Sequence, residues 1–231
     1  MSVLDAIRDA GSIIGAEIPE AVFGSEDETA MEFAAIAREA ADYIAGLAEW
    51  QAITTLHQIT GDGLTTEFAL PSDYRRMKKE GKLRSSAFDG PLCQIRSHDE
   101  WLRVILQNIT TVLPVWTLLG GALHFHPAPA AGEVISGYYI RNTIVTDSGG
   151  TVKARFTADD DAFFLGDRIL KLAIIWRWRS NRRVPYAEDL ANFEAEVAQL
   201  VTDDKGPGTI MIGQASVPRG VEMAWPGTIV P

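Results

Sequence analysis

The sequence predicts an α+β fold: a helical bundle formed by N- and C-terminal helices, with an antiparallel β-rich insertion and an extended C-terminal tail. Two observations at the ends of the chain and one in its middle predict this. Residues 156–200 read as two helical patterns joined by a short basic turn containing Pro185, and residues 2–50 read as two more. Between them the apolar period changes from that of a helix to short β-prone runs, broken by Gly and Pro turns. The corresponding divisions are 1–53, 54–155, 156–205 and 206–231.

The first pattern of the 156–200 stretch gathers Leu165, Ile169, Leu172 and Trp176 on one face and Leu170, Ile174 and Trp178 on the opposite one. A helix apolar on two sides is covered on both, so it is expected at the centre of the fold. Asp159, Asp160 and Asp161 stand upstream as expected caps. Arg177, Arg179, Arg182 and Arg183 lie at the far end, where the helix dipole favours cations. The second pattern places Leu190, Phe193, Val197 and Leu200 on a single face and leaves its acidic side in water.

At the start of the chain, Ser2 and Asp5 form a helix-opening pair, followed by Val3, Leu4, Ile7 and Ile14 on one face. A connector from Gly15 to Gly24 follows. Ser25 and Glu28 make a second box, opening an alanine-rich helix that runs to about Trp50 with Met31, Ala34, Ala41, Ile44, Leu47 and Ala48 as its core face. Thr54 to Ile59 and Thr65 to Leu70 read as strands separated by Gly61-Asp62-Gly63, a hairpin signal. A strand is expected around Leu92 to Ile95. A third box, Ser97 and Glu100, opens a short helix through Trp101, Leu102 and Ile105. Val115 to Leu119, Leu123 to His126 and Val134 to Arg141 are strands, separated by Gly120-Gly121 and by the turn from Pro127 to Gly132. The last stretch, 206–231, has only Arg219 and Glu222 as charges and four prolines, so it is expected to be extended and to dock its apolar residues on another surface.

The formal net charge is −10, yet residues 1–50 alone carry eleven acids against two bases. The acidity is therefore local, and it disfavours nonspecific attachment to nucleic acid. Cys93 is the single cysteine, which excludes an internal disulfide and any cysteine-based zinc site. No basic leader with an apolar core opens the chain, and no apolar run approaches membrane-spanning length, so a soluble protein without a signal peptide is expected.

Candidate chemistry is sparse. His124 and His126 alternate on one face of a strand, as two metal ligands would, but no third histidine is near. Ordinary strand histidines are the preferred reading. The Asp159–Asp161 run could hold Mg²⁺, with a helix cap the preferred account. The sequence has no G-x-S-x-G elbow, no P-loop and no G-x-G-x-x-G, so no enzyme is expected and no cofactor is implied. Two basic clusters remain, Arg75, Arg76, Lys78, Lys79, Lys82 and Arg84 in the middle and the Trp-interleaved Arg177 to Arg183 group. Such clusters suit phosphates or the acidic rim of a protein partner.

Four phrases, FALPSDYRRM at Phe68 to Met77, WTLLGGALHFHPAPAAGEVISGYYIRN at Trp116 to Asn142, FTADDDAFFLGDRILKLAIIWRW at Phe156 to Trp178 and VPYAEDLANFEAEV at Val184 to Val197, carry a resemblance. In that order, with flanking helices and a tail, the chain resembles the head-to-tail connector adaptors of tailed bacteriophages. The resemblance implies a virion protein of the neck, made in the bacterial cytoplasm, that docks on the portal protein as a ring of about a dozen copies. Its partners would be the portal, its own copies, the next tail or neck component, and duplex DNA passing through the lumen without specific binding. Val221, Trp225 and Ile229 would anchor the tail on the portal or a neighbour. The Phe156 to Leu200 helices would form the ring wall, with Trp176, Arg177, Trp178 and Arg179 packing subunits, and acidic residues near the start of the chain would line the lumen. No catalytic residue is implied. The alternatives are a tail-terminator or other tail-ring protein and, from a different class, a nucleic-acid-binding or metal-dependent accessory protein.

Overall fold

The computed structural model describes residues 2–18, 20–79, 81–107 and 114–205. These residues form an α+β protein with five helices and several small sheets. The first helix, α1 (Val3–Ile14), begins at a complete capping box: Ser2 accepts from the Asp5 amide, and the Asp5 side chain returns to the Ser2 amide. It ends at Gly15, whose φ of 73° is the left-handed turn that favours glycine.

The second helix, α2 (Glu28–Leu47), starts later than the serine signal implies. Asp27 is its N-cap, accepting from the Ala30 amide at 3.0 Å, while Ser25 instead receives the Asp27 amide. Ala34, Ala41 and Ile44 are buried on its core face as expected, but that face turns away from Met31 and Leu47. Phe33, Ala37, Ala40, Ala41 and Ile44 are buried, whereas Met31 and Leu47 are 53% and 40% exposed. Alanine gives an apolar stripe little contrast, and the large residues Phe33, Ile36 and Ile44 lie on the side that turns inward.

The chain then passes through a 3-10 turn (Gln51–Ile53) into β1 (Thr54–Thr60) and β2 (Glu67–Ala69). The expected hairpin between them does not form. β1 pairs antiparallel with β8 (Val134–Arg141), and β2 pairs with β7 (Ala122–His126). The Gly61-Asp62-Gly63 turn instead carries the chain from one sheet to the other. Asp62 accepts from the Leu64 and Thr65 amides, and Gly61 donates to the Glu133 carbonyl. β8 also pairs with β3 (Tyr74–Met77) and β4 (Arg84–Ser85).

The second sheet runs in the order β2, β7, β6 (Val115–Leu119), β5 (Cys93–Gln94). The β6–β7 hairpin turns through Gly120 and Gly121, both at positive φ as its two-residue turn requires. The insertion departs from the antiparallel expectation at one place: β5 pairs parallel with β6. A parallel neighbour needs a long crossover, and α3 (His98–Leu106) lies within it. α3 buries Trp101 and Val104, while Leu102 and Ile105 are exposed. A third sheet joins β9 (Val145–Thr146) to β10 (Val152–Lys153) and β11 (Ala162–Phe163).

The last two helices are α4 (Asp167–Asn181) and α5 (Ala187–Lys205). α4 packs against α1, α2 and α5. Ile169, Leu170, Ala173 and Ile174 are fully buried on its several sides, as a central helix requires. α5 buries Phe193 and rests Leu190, Val197 and Leu200 partly against the same core. That core also takes in Ile140, Ile144, Val145, Phe156 and Phe163. A second core under the sheets holds Ile59, Leu83, Leu92, Trp116, Leu123, Phe125 and Ile135. β8 contributes to both, Ile140 to the first and Ile135 to the second, because alternate residues of a strand face opposite ways.

The aspartate run does not cap α4. Gly166 occupies the N-cap position and makes no side-chain hydrogen bond. Each of the three carboxylates fastens a different segment instead. Asp159 accepts from the Val22 and Phe23 amides, holding the α1–α2 connector, and Asp160 accepts from the Ser148 hydroxyl at 2.6 Å. Asp161 is fully buried and receives Lys153 Nζ at 2.8 Å and the Thr157 and Ala158 amides. Its main-chain carbonyl accepts from the Val3 amide, tying the start of α1 to the same turn.

Candidate functional site

At the carboxy-terminal end of α4 the sequence-selected residues meet three helices. Trp176 packs near Tyr43, Tyr186 and Phe193, so that α2, α4 and α5 share one aromatic cluster. Arg177 lies over the rings of Tyr43 and Trp176 and pairs with Glu39 of α2. Arg179 meets Asp189 of α5 at 2.6 Å. Arg182 meets Glu32 of α2 at 2.5 Å and covers the Trp178 ring. Trp176, Arg177, Trp178 and Arg179 thus lie at contacts within one subunit. The turn that follows leaves a groove of about 860 Å³ lined by Arg183, Val184, Pro185, Tyr186 and Leu190.

The middle basic cluster splits into two sets. Arg75 and Arg76 turn toward the end of α2: Arg75 donates to the Asp42 carbonyl at 3.2 Å, and Arg76 pairs with Glu49 at 3.1 Å. Burial would raise the Glu49 carboxyl, but the Lys79 amide and the Arg76 guanidinium outweigh it and hold it below its usual range. These contacts clamp the β-rich part onto the helices.

Lys79 and Lys82 do something different. With Gly81, Pro91, Leu92, Cys93, Gln94, Arg96 and Trp116 they line a groove of about 530 Å³ beside β5. Among the described residues, the side chains of Lys79, Lys82 and Arg96 form no ion pair. Sequence reading found the lysines but missed Arg96 and Trp116, which only the pairing of β5 with β6 brings beside them.

His124 and His126 do project from one face of β7, both half-buried. His124 Nε2 lies 3.3 Å from the Leu119 carbonyl. Among the described residues no group of three or more His, Cys, Asp or Glu side chains is arranged to hold a metal ion. No helix of the described residues is long and apolar enough to cross a membrane. Val221, Trp225 and Ile229 lie outside the described residues.

The parts of this molecule that hold chemistry in reserve are surfaces: a basic groove, an apolar groove at a helical corner and an acidic connector. The chain belongs to the SU10 adaptor protein family, phage head–tail adaptors of the virion, whose family model matches residues 1–212. The curated proteins hold no match to it.

Proposed function

We propose that this protein is the neck adaptor that docks as a ring of about a dozen copies on the portal and continues the DNA channel toward the tail. The family match over residues 1–212 carries this reading. Repetition about an axis multiplies each modest contact, so that no single strong interface is required. On this reading the helices within 156–200 form the ring wall, and the divisions at 53, 155 and 205 separate bundle, insertion and tail. The net charge of −10 suits a channel past which duplex DNA slides without adhering. Val221, Trp225 and Ile229 grip the portal or an adjacent subunit.

The test is co-assembly. The full chain is mixed with purified portal rings and the product is imaged by electron microscopy. A second ring stacked coaxially on the portal is expected, and a chain carrying Trp225→Ala should occupy the portal more weakly by about tenfold, the loss of one buried aromatic anchor. Portal rings that remain bare at saturating protein would end this reading.

A further inference from the structure

The charges of this molecule are segregated in a way the fold does not use. In the helical part, Arg168, Lys171, Arg177, Arg179 and Arg182 all meet carboxylates of the same chain. The groove beside β5 instead leaves Lys79, Lys82 and Arg96 exposed and without acidic partners among the described residues. Trp116 lines that groove while being only 1% exposed, and its indole N–H, shut off from solvent, has no acceptor among the described residues. The unpaired cations select an occupant that supplies acceptor oxygens and negative charge.

The same chain carries such a surface elsewhere. Glu17, Glu20, Glu26 and Glu28, in and just after the α1–α2 connector, are all exposed, and none forms an ion pair among the described residues. The described residues of this connector are held at several points. Asp159 holds the Val22 and Phe23 amides, Arg8 donates to the Glu20 carbonyl at 2.9 Å, and Arg38 stacks on Phe23. Its anchors belong to the helical core, whereas Leu92 and Trp116 of the groove belong to the second core.

A closed ring needs two different surfaces on each subunit, complementary to one another and facing opposite neighbours. We propose that the groove lined by Lys79, Lys82, Arg96 and Trp116 receives the acidic connector of a second copy of this chain, with Glu26 and Glu28 as its principal contacts. This rests on the ring reading above. A second copy is favoured over nucleic acid because the groove is a short pocket walled by Pro91, Leu92 and Cys93, and because the exposed carboxylates of the connector match its unpaired cations.

The test uses charge reversal in the full chain. One variant carries Lys79→Glu and Lys82→Glu, a second carries Glu26→Lys and Glu28→Lys, and a third carries all four. Self-association is followed by sedimentation at low salt, alone and on portal rings. Each two-site variant alone should associate about tenfold more weakly than the parent. Mixing the two should restore a pairwise contact, and the four-site variant should regain the parent's assembly. Recovery also shows that both variants are folded.

Parent-like assembly of both two-site variants, or a four-site variant that stays dissociated, overturns the proposal. If rings still form on the portal in that case, the adaptor reading stands without it. If the portal stays bare while the reversals cancel in solution, the contact stands and the adaptor reading falls. Salt-sensitive binding of duplex DNA by the parent, abolished by Lys79→Glu with Lys82→Glu, would assign the groove to nucleic acid and overturn the proposal.

Discussion

Asp161 shows how much of this fold hangs on single carboxylates. Burial alone would raise its pKa, but the hydrogen bonds from Lys153, Thr157 and Ala158 together hold it below the ordinary 3.8. Its folded-state value therefore lies under that of the unfolded chain. The stability it contributes is complete above that ordinary value and is lost as pH falls through the folded one. Urea unfolding between neutral pH and the acid limit should show this loss, and Asp161→Ala should flatten that part of the profile. At neutral pH the same variant should cost about 3 kcal/mol, since it strands the Thr157 and Ala158 amides. Gly61 is a second such position. A Cβ there would sit 2.4 Å from the Ala130 carbonyl oxygen, a backbone atom with little freedom to retreat. Gly61→Ala should destabilise by about 1–3 kcal/mol, read from the shift in the urea midpoint.

Among the elements, those set by local chemistry were legible in the sequence and those set by distant partners were not. The Ser2–Asp5 box, the Gly120-Gly121 hairpin and the doubly apolar α4 each needed only neighbouring residues to declare themselves. The pairing of β1 with β8 joins Thr54 to Ile140, and nothing near Gly61 signals it. A glycine-rich turn between two β-prone runs reads the same whether the runs pair with each other or with strands elsewhere. The aspartate run misled for a related reason: three acids before a helix look like a cap, and only the tertiary fold brings the connector, Ser148 and Lys153 to them. Of the candidate surfaces, the lysines of the basic groove were visible, while its floor, Trp116, looked like any core strand residue. The rotated face of α2 gives a direct measurement. Phe33→Ala should cost about 3–5 kcal/mol in thermal or urea unfolding, whereas Met31→Lys should stay within about 0.5 kcal/mol of the parent.

Among the described residues, the two larger cores meet at β8, a small third cluster of Ile95, Trp101, Val104 and Val115 lies beside α3, and opposite charge collects on different parts of the chain. Residues 75–103 carry eight bases against four acids, while residues 1–50 carry the excess of acids already noted. Any assembly driven by that asymmetry must be sensitive to ions. Self-association should weaken steadily between low salt and about 1 M, where the screening length falls to about 3 Å. Light scattering across a salt series checks this, and insensitivity to salt would mean that apolar contact dominates. The placement of α4 has another consequence, in the cell. A ribosome that has released the first 150 residues has made α1 and α2 but not the helix against which their apolar stripes close. Until the final helices emerge, those stripes and the alanine face of α2 stay open to water and to other nascent chains. The subunit therefore acquires its shape late, near the end of translation, and a host chaperone that shelters the early helices would raise the yield of competent protein.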